Sequence, residues 1–110
     1  MSKIRFITIE KLLEMKENEE PFTLVDTLGE ESYREEHIPG AINVPVESVV
    51  REIKGKVDAD APVVTYCAGY TCEASTLAAR KLIDIGFEQI FDFKGGLHAW
   101  KNAGFDAESS

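Results

Sequence analysis

Sulfur and positive charge are the scarce commodities of this chain. It has two cysteines in 110 residues, Cys67 and Cys72, and both fall in one short stretch. Two cannot supply a disulfide framework, and packing thiols would more often be scattered. A reducing, cytoplasmic setting is therefore expected, in which these thiols do chemistry. Lys and Arg total 12 against 20 Asp and Glu, a formal net charge of −8. That balance argues against nucleic acid or an anionic membrane surface as a partner. No apolar run approaches the ~20 residues that a membrane span needs. Met1 to Ile9 carries two basic residues but no long apolar core and no cleavage signal, so export is not expected. The two histidines, His37 and His98, and the two cysteines match no structural zinc spacing, and no metal is expected. Four residues separate the cysteines, where a thioredoxin-type motif has two. A cysteine phosphatase needs a longer loop closing on an arginine. Glu73 stands where that arginine would fall, and a carboxylate there repels phosphate.

What is present reads as one domain over residues 1–110, with an ordered core over about 7–105. Apolar residues make up 44% of the chain and charged residues 29%, the balance of a globular protein. Short apolar runs at Phe6–Ile9, Phe22–Asp26, Ala41–Val44, Val63–Tyr66 and Ile90–Phe93 predict five strands. Between them lie helical patterns at Glu10–Glu17, Gly29–Glu36, Val46–Ile53, Glu73–Ile85 and Leu97–Ala103. In the longest of these, Ala74, Leu77, Ala78, Leu82 and Ile85 are expected on the buried face, and Gly86 is expected to stop the helix. Thr8 or a neighbour is placed to cap the first helix. Asp106 to Ser110 is expected to fray. Alternating strands and helices predict an α/β architecture with a mostly parallel sheet flanked by helices. In such sheets the ligand site lies at the carboxyl ends of the strands, which is where both Cys67 and Asp26 fall.

The central stretch runs from a buried strand at Val63 through Cys67-Ala68-Gly69-Tyr70-Thr71-Cys72 into a helix. A strand, a tight loop and a helix start direct successive N–H groups inward, and such a concavity favours anions. A cysteine at its base is expected to have a lowered pKa and to be nucleophilic near neutral pH. Cys67 is the candidate nucleophile.

Three separated stretches carry a resemblance over nearly the whole chain, from about Ile7 to Phe105. Leu24-Val25-Asp26 leads through Tyr33 to His37-Ile38-Pro39-Gly40-Ala41-Ile42-Asn43-Val44-Pro45. Tyr66-Cys67 opens the six-residue loop. Asp92-Phe93-Lys94-Gly95-Gly96-Leu97-His98-Ala99-Trp100 is followed by Ala103-Gly104-Phe105. In this order and spacing they resemble a single-domain rhodanese-like sulfurtransferase. The resemblance implies a rhodanese-like fold with a central five-stranded sheet. It also implies that Cys67 accepts a sulfane sulfur as a persulfide and passes it to a thiol or a cyanide-type acceptor. Ala68, Gly69, Tyr70, Thr71 and Cys72 would form the substrate-binding loop, with backbone donors to the terminal sulfur. No metal or organic cofactor is implied. The implied partners are small sulfur donors or a protein persulfide or thiol.

This chain departs from the family pattern in two places. Members that use thiosulfate often carry arginine in or at the end of the loop, whereas here the loop is uncharged and Glu73 follows it. Thiosulfate is therefore expected to react poorly compared with a thiol persulfide. Cys72 is the second departure, and it has two readings: a resolving thiol, or a small apolar residue packed at the helix start. Asp26 reads as loop support rather than an acid or base, and His37 as a turn-fixing residue. Tyr70 either shields the site or is merely exposed, and Trp100 reads as core. A non-catalytic binding or redox-sensing module, using a Cys67–Cys72 disulfide, stands as the alternative function.

Overall fold

The computed structural model describes residues 3–110, so Met1 and Ser2 of the N-terminal stretch lie outside the described residues. Five strands, β1 (Arg5–Ile7), β2 (Thr23–Asp26), β3 (Ile42–Asn43), β4 (Val63–Tyr66) and β5 (Ile90–Phe93), form one sheet. Its order is β1-β5-β4-β2-β3, and every neighbouring pair is parallel. The helices are α1 (Ile9–Glu17), α2 (Glu30–Glu35), α3 (Val49–Ile53), α4 (Ala74–Asp84) and α5 (Gly96–Asn102).

Alternation along the strands divides the core in two, because successive side chains point to opposite faces of a sheet. Val25, Val63 and Ile90 pack with Val49, Ile53, Ala78, Ala79 and Leu82 from α3 and α4. Leu24, Val64, Tyr66 and Phe93 pack on the other face with Leu12, Met15 and Trp100 from α1 and α5. All four residues of β4 are buried, as befits a central strand covered on both faces. No helix among the described residues is long and apolar enough to cross a membrane.

Four sequence expectations are corrected. The first strand ends at Ile7, because the Thr8 side chain accepts a hydrogen bond from the Lys11 N–H and so makes Ile9 the first helical residue. Val46–Ser48 is a 3-10 turn, which shortens α3 and leaves Val50 at the surface. In α4 the buried face is Ser75, Ala78, Ala79 and Leu82, and Leu77 is exposed. Small residues on that face let the helix lie close to β4 and β5. The C-terminal tail is docked: His37 and Glu108 exchange two backbone hydrogen bonds of 2.8 Å, and the Trp100 indole N–H donates to the Asp106 carbonyl.

Candidate active site

Strand β4 delivers Cys67 to the carboxyl end of the sheet, between β2 and β5. The loop turns at once, with the Cys72 N–H donating to the Gly69 carbonyl at 3.0 Å, and enters α4 at Ala74. What holds the loop comes from the far end of the chain. The Leu97 N–H donates to the Cys67 carbonyl and the His98 N–H to the Ala68 carbonyl, each at 2.9 Å. These are amides of the first turn of α5, which lack partners inside their own helix.

The glycine pair makes this clamp possible. A Cβ on Gly96 would stand 2.1 Å from the Cys67 carbonyl oxygen, and its φ of +56° is one that side chains disfavour. A Cβ on Gly95 would meet the Ala99 Cβ at 2.5 Å and the Tyr70 hydroxyl at 3.1 Å. Tyr70 is 65% exposed, yet its ring end rests on this glycine. Ala68, Gly69, Tyr70, Thr71 and His98 line an open hollow of about 420 Å³ on the outer side of the loop. Cys67 does not line it. Its side chain lies beneath the loop, with none of its surface exposed.

The Cys67 sulfur is 3.4 Å from the Cys72 carbonyl oxygen and 3.5 Å from Ser75 Oγ. Burial pushes its pKa up, and the neighbouring Cys72 thiol adds to this, while the Ser75 hydroxyl and N–H oppose it. The expectation of a lowered pKa at Cys67 is therefore overturned. The resting form is the thiol, because removal from water outweighs the nearby dipoles. Cys72 goes the other way. Its partial burial raises the pKa, but this is outweighed by the Cys67 S–H, the N–H groups of Ala74 and Ala68, and the Lys94 ammonium, so the net shift is downward.

Several supporting residues were not singled out in the sequence. Lys94, just before the glycine pair, donates from Nζ to the Cys72 carbonyl at 2.6 Å and brings a cation to a loop that has none of its own. Ser75 contacts the Cys67 sulfur, and its carbonyl accepts from Thr65 Oγ1 at 3.0 Å. Thr76 donates to the Asp92 carboxylate at 2.6 Å. The first turn of α4 is thereby fastened to β4 and β5. Lys94 lies just before the glycine pair in sequence, but its reach to the loop depends on the fold.

Asp26 is buried at the end of β2. One carboxylate oxygen accepts from the Leu28 N–H and the other from the Tyr66 hydroxyl, both at 2.9 Å, and Tyr66 in turn accepts from the Ile38 N–H. Desolvation raises the Asp26 pKa, although the Leu28 and Tyr66 hydrogen bonds oppose it. Asp26 thus holds Tyr66, the residue before Cys67, and touches the loop only through it. His37 stacks on Tyr33 at 3.8 Å, with Nδ1 at 2.8 Å from the Tyr33 carbonyl, and so fixes the turn. Trp100 is core.

A parallel five-stranded sheet with a cysteine loop clamped over its carboxyl end defines a class, and comparison with known families agrees. The family model of the rhodanese-like domain matches residues 8–103, and the chain belongs to that family. It is 32% identical over 103 residues to thiosulfate sulfurtransferase GlpE of Shewanella oneidensis, covering 94% of this chain and 98% of that one. It is also 34% identical over 102 residues to an HTH-type transcriptional regulator of Mycobacterium tuberculosis, covering 93% of this chain and 44% of the regulator. Among solved structures, the Alr3790 protein of Anabaena sp. superposes with a TM-score of 0.85 at 31% identity, covering 94% of this chain and 80% of that one.

Proposed function

We propose that this protein is a sulfurtransferase in which Cys67 carries the transferred sulfur as a persulfide. The observation that supports this most is the placement of the Cys67 sulfur under a clamped loop, against the Ser75 hydroxyl and the start of α4. A persulfide there is shielded from bulk water, and fixed dipoles are available to the charge on its outer sulfur. The acceptor, a thiol or cyanide, attacks that outer sulfur and returns Cys67 to its resting state. No cofactor is needed, since the thiol supplies the covalent chemistry. Similarity to a thiosulfate sulfurtransferase favours thiosulfate among the donors, and Lys94 provides attraction for such an anion despite the uncharged loop. The test is thiocyanate formation from thiosulfate and cyanide, with mass mapping of the loaded protein. Cys67 is expected to gain one sulfur atom, and in a Cys72→Ser background the further change Cys67→Ser is expected to abolish turnover while keeping the fold. Thiocyanate production by the wild type with no sulfur on Cys67 would refute the assignment.

A second reading, a redox-sensing module, is supported by the two free thiols sharing one loop and by the similarity to a transcriptional regulator. It predicts a Cys67–Cys72 disulfide on mild oxidation and no gain of sulfur from donors. The same mass measurement separates the two readings.

A further inference from the structure

Access to the two sulfurs differs in a way that bears on the order of events. Cys67 has no exposed surface, whereas Cys72 is half-buried at the closing end of the same loop. Lys94 brings its ammonium to the Cys72 carbonyl at 2.6 Å, so an anionic donor drawn to this face meets Cys72 first. The Cys72 carbonyl lies 3.4 Å from the Cys67 sulfur, so the two residues meet beneath the loop. We propose that Cys72 receives the sulfane sulfur from the donor and hands it inward to Cys67. This relay rests on the reading of Cys67 as the persulfide carrier and adds a covalent station in front of it.

With a thiol persulfide RS–SH as donor, the Cys72 thiolate attacks the outer sulfur. A Cys72–S–SH bond forms, the donor S–S bond breaks, and RS⁻ leaves with the electron pair. Cys67 then attacks the same sulfur. A Cys67–S–SH bond forms, the Cys72 S–S bond breaks, and the Cys67 proton passes to the departing Cys72 sulfur, which releases it to solvent. Nothing is oxidised or reduced overall, because the sulfane sulfur only changes carrier. Direction follows from placement: the Cys67 sulfur lies beneath the loop with the Ser75 hydroxyl at 3.5 Å, so the transferred sulfur ends at the station shielded from solvent.

The test is a rapid-quench time course with glutathione persulfide, mapping persulfide by alkylation and peptide mass in wild type, Cys67→Ser and Cys72→Ser. In wild type, sulfur is expected on Cys72 before Cys67. Cys67→Ser is expected to hold sulfur on Cys72, and Cys72→Ser to load Cys67 about tenfold more slowly or worse, since the buried thiol must then meet the donor unaided. Lys94→Met is expected to slow the first step, and Lys94→Arg to restore it. If Cys67 loads at the wild-type rate in Cys72→Ser and no sulfur appears on Cys72 in Cys67→Ser, the relay is wrong while Cys67 remains the carrier. A Cys67–Cys72 disulfide with released hydrosulfide, in place of persulfide, also overturns the inward hand-off. If neither cysteine of wild type gains sulfur, the sulfurtransferase reading fails and the relay with it.

Discussion

Two cysteines on one loop share most of their surroundings, so the difference between them isolates what each neighbour does. Desolvation acts on both, but only at Cys72 do N–H groups, a thiol proton and a lysine outweigh it. The thiolate is the form that alkylates, and a lowered pKa populates it at lower pH. Alkylation of Cys72 by iodoacetamide should therefore rise with a midpoint below that of an ordinary thiol, about 8.5. Cys67 should follow with a midpoint above it. Lys94→Met removes a nearby cation and should move the Cys72 midpoint upward. Peptide mass spectrometry across a pH series measures all three, and coincident midpoints would contradict the difference in environment. That both thiols share one loop at the end of β4 is legible in the sequence. Which thiol is the more acidic is not, because it depends on where individual N–H groups point and on how deeply one sulfur sits.

Elements were legible where local chemistry decides them. Thr8 followed by Leu12, Leu13 and Met15 specifies a capped amphipathic helix, and β4 is marked by Val63-Val64-Thr65-Tyr66. They were misread where tertiary packing decides. Leu77 falls at helical spacing but faces outward, because the sheet selects the smaller Ala78 and Ala79. The tail after Phe105 looks like a fraying end, yet it finds a backbone partner in His37. The role of the glycine pair is close approach, which only the fold shows. Gly96→Ala would force a methyl into the Cys67 carbonyl at a positive φ, and a loss of about 3 kcal/mol or more is expected. Gly55 has a φ of +89° but open space around it. Gly55→Ala should therefore cost only about 1–2 kcal/mol, the strain of the left-handed backbone alone. Urea denaturation compares the two, and Cys67 in Gly96→Ala should also become easier to alkylate. Equal losses would mean that the contact with the loop contributes nothing.

On the scale of the molecule, a net charge of −8 repels an anionic donor at long range, while Lys94 attracts it at contact. Salt screens exposed charges beyond roughly 10 Å at 0.1 M and affects the contact less. The thiosulfate kcat/KM should therefore rise with ionic strength more steeply in Lys94→Met than in wild type. Glu73, exposed beside the loop, opposes the donor locally. Glu73→Gln should raise kcat/KM about two- to fivefold at low salt, the scale of a single screened surface charge. An unchanged value would place the donor's approach elsewhere. The sheet order has another outcome, one that concerns time. Strand β4 lies between β2, made before it, and β5, made after it. The amides that secure the Cys67 and Ala68 carbonyls belong to Leu97 and His98, near the end of the chain. On a translating ribosome the cysteine loop thus emerges before its fastening exists. Both thiols stay open to oxidants until α5 has left the exit tunnel, and only then does the site close.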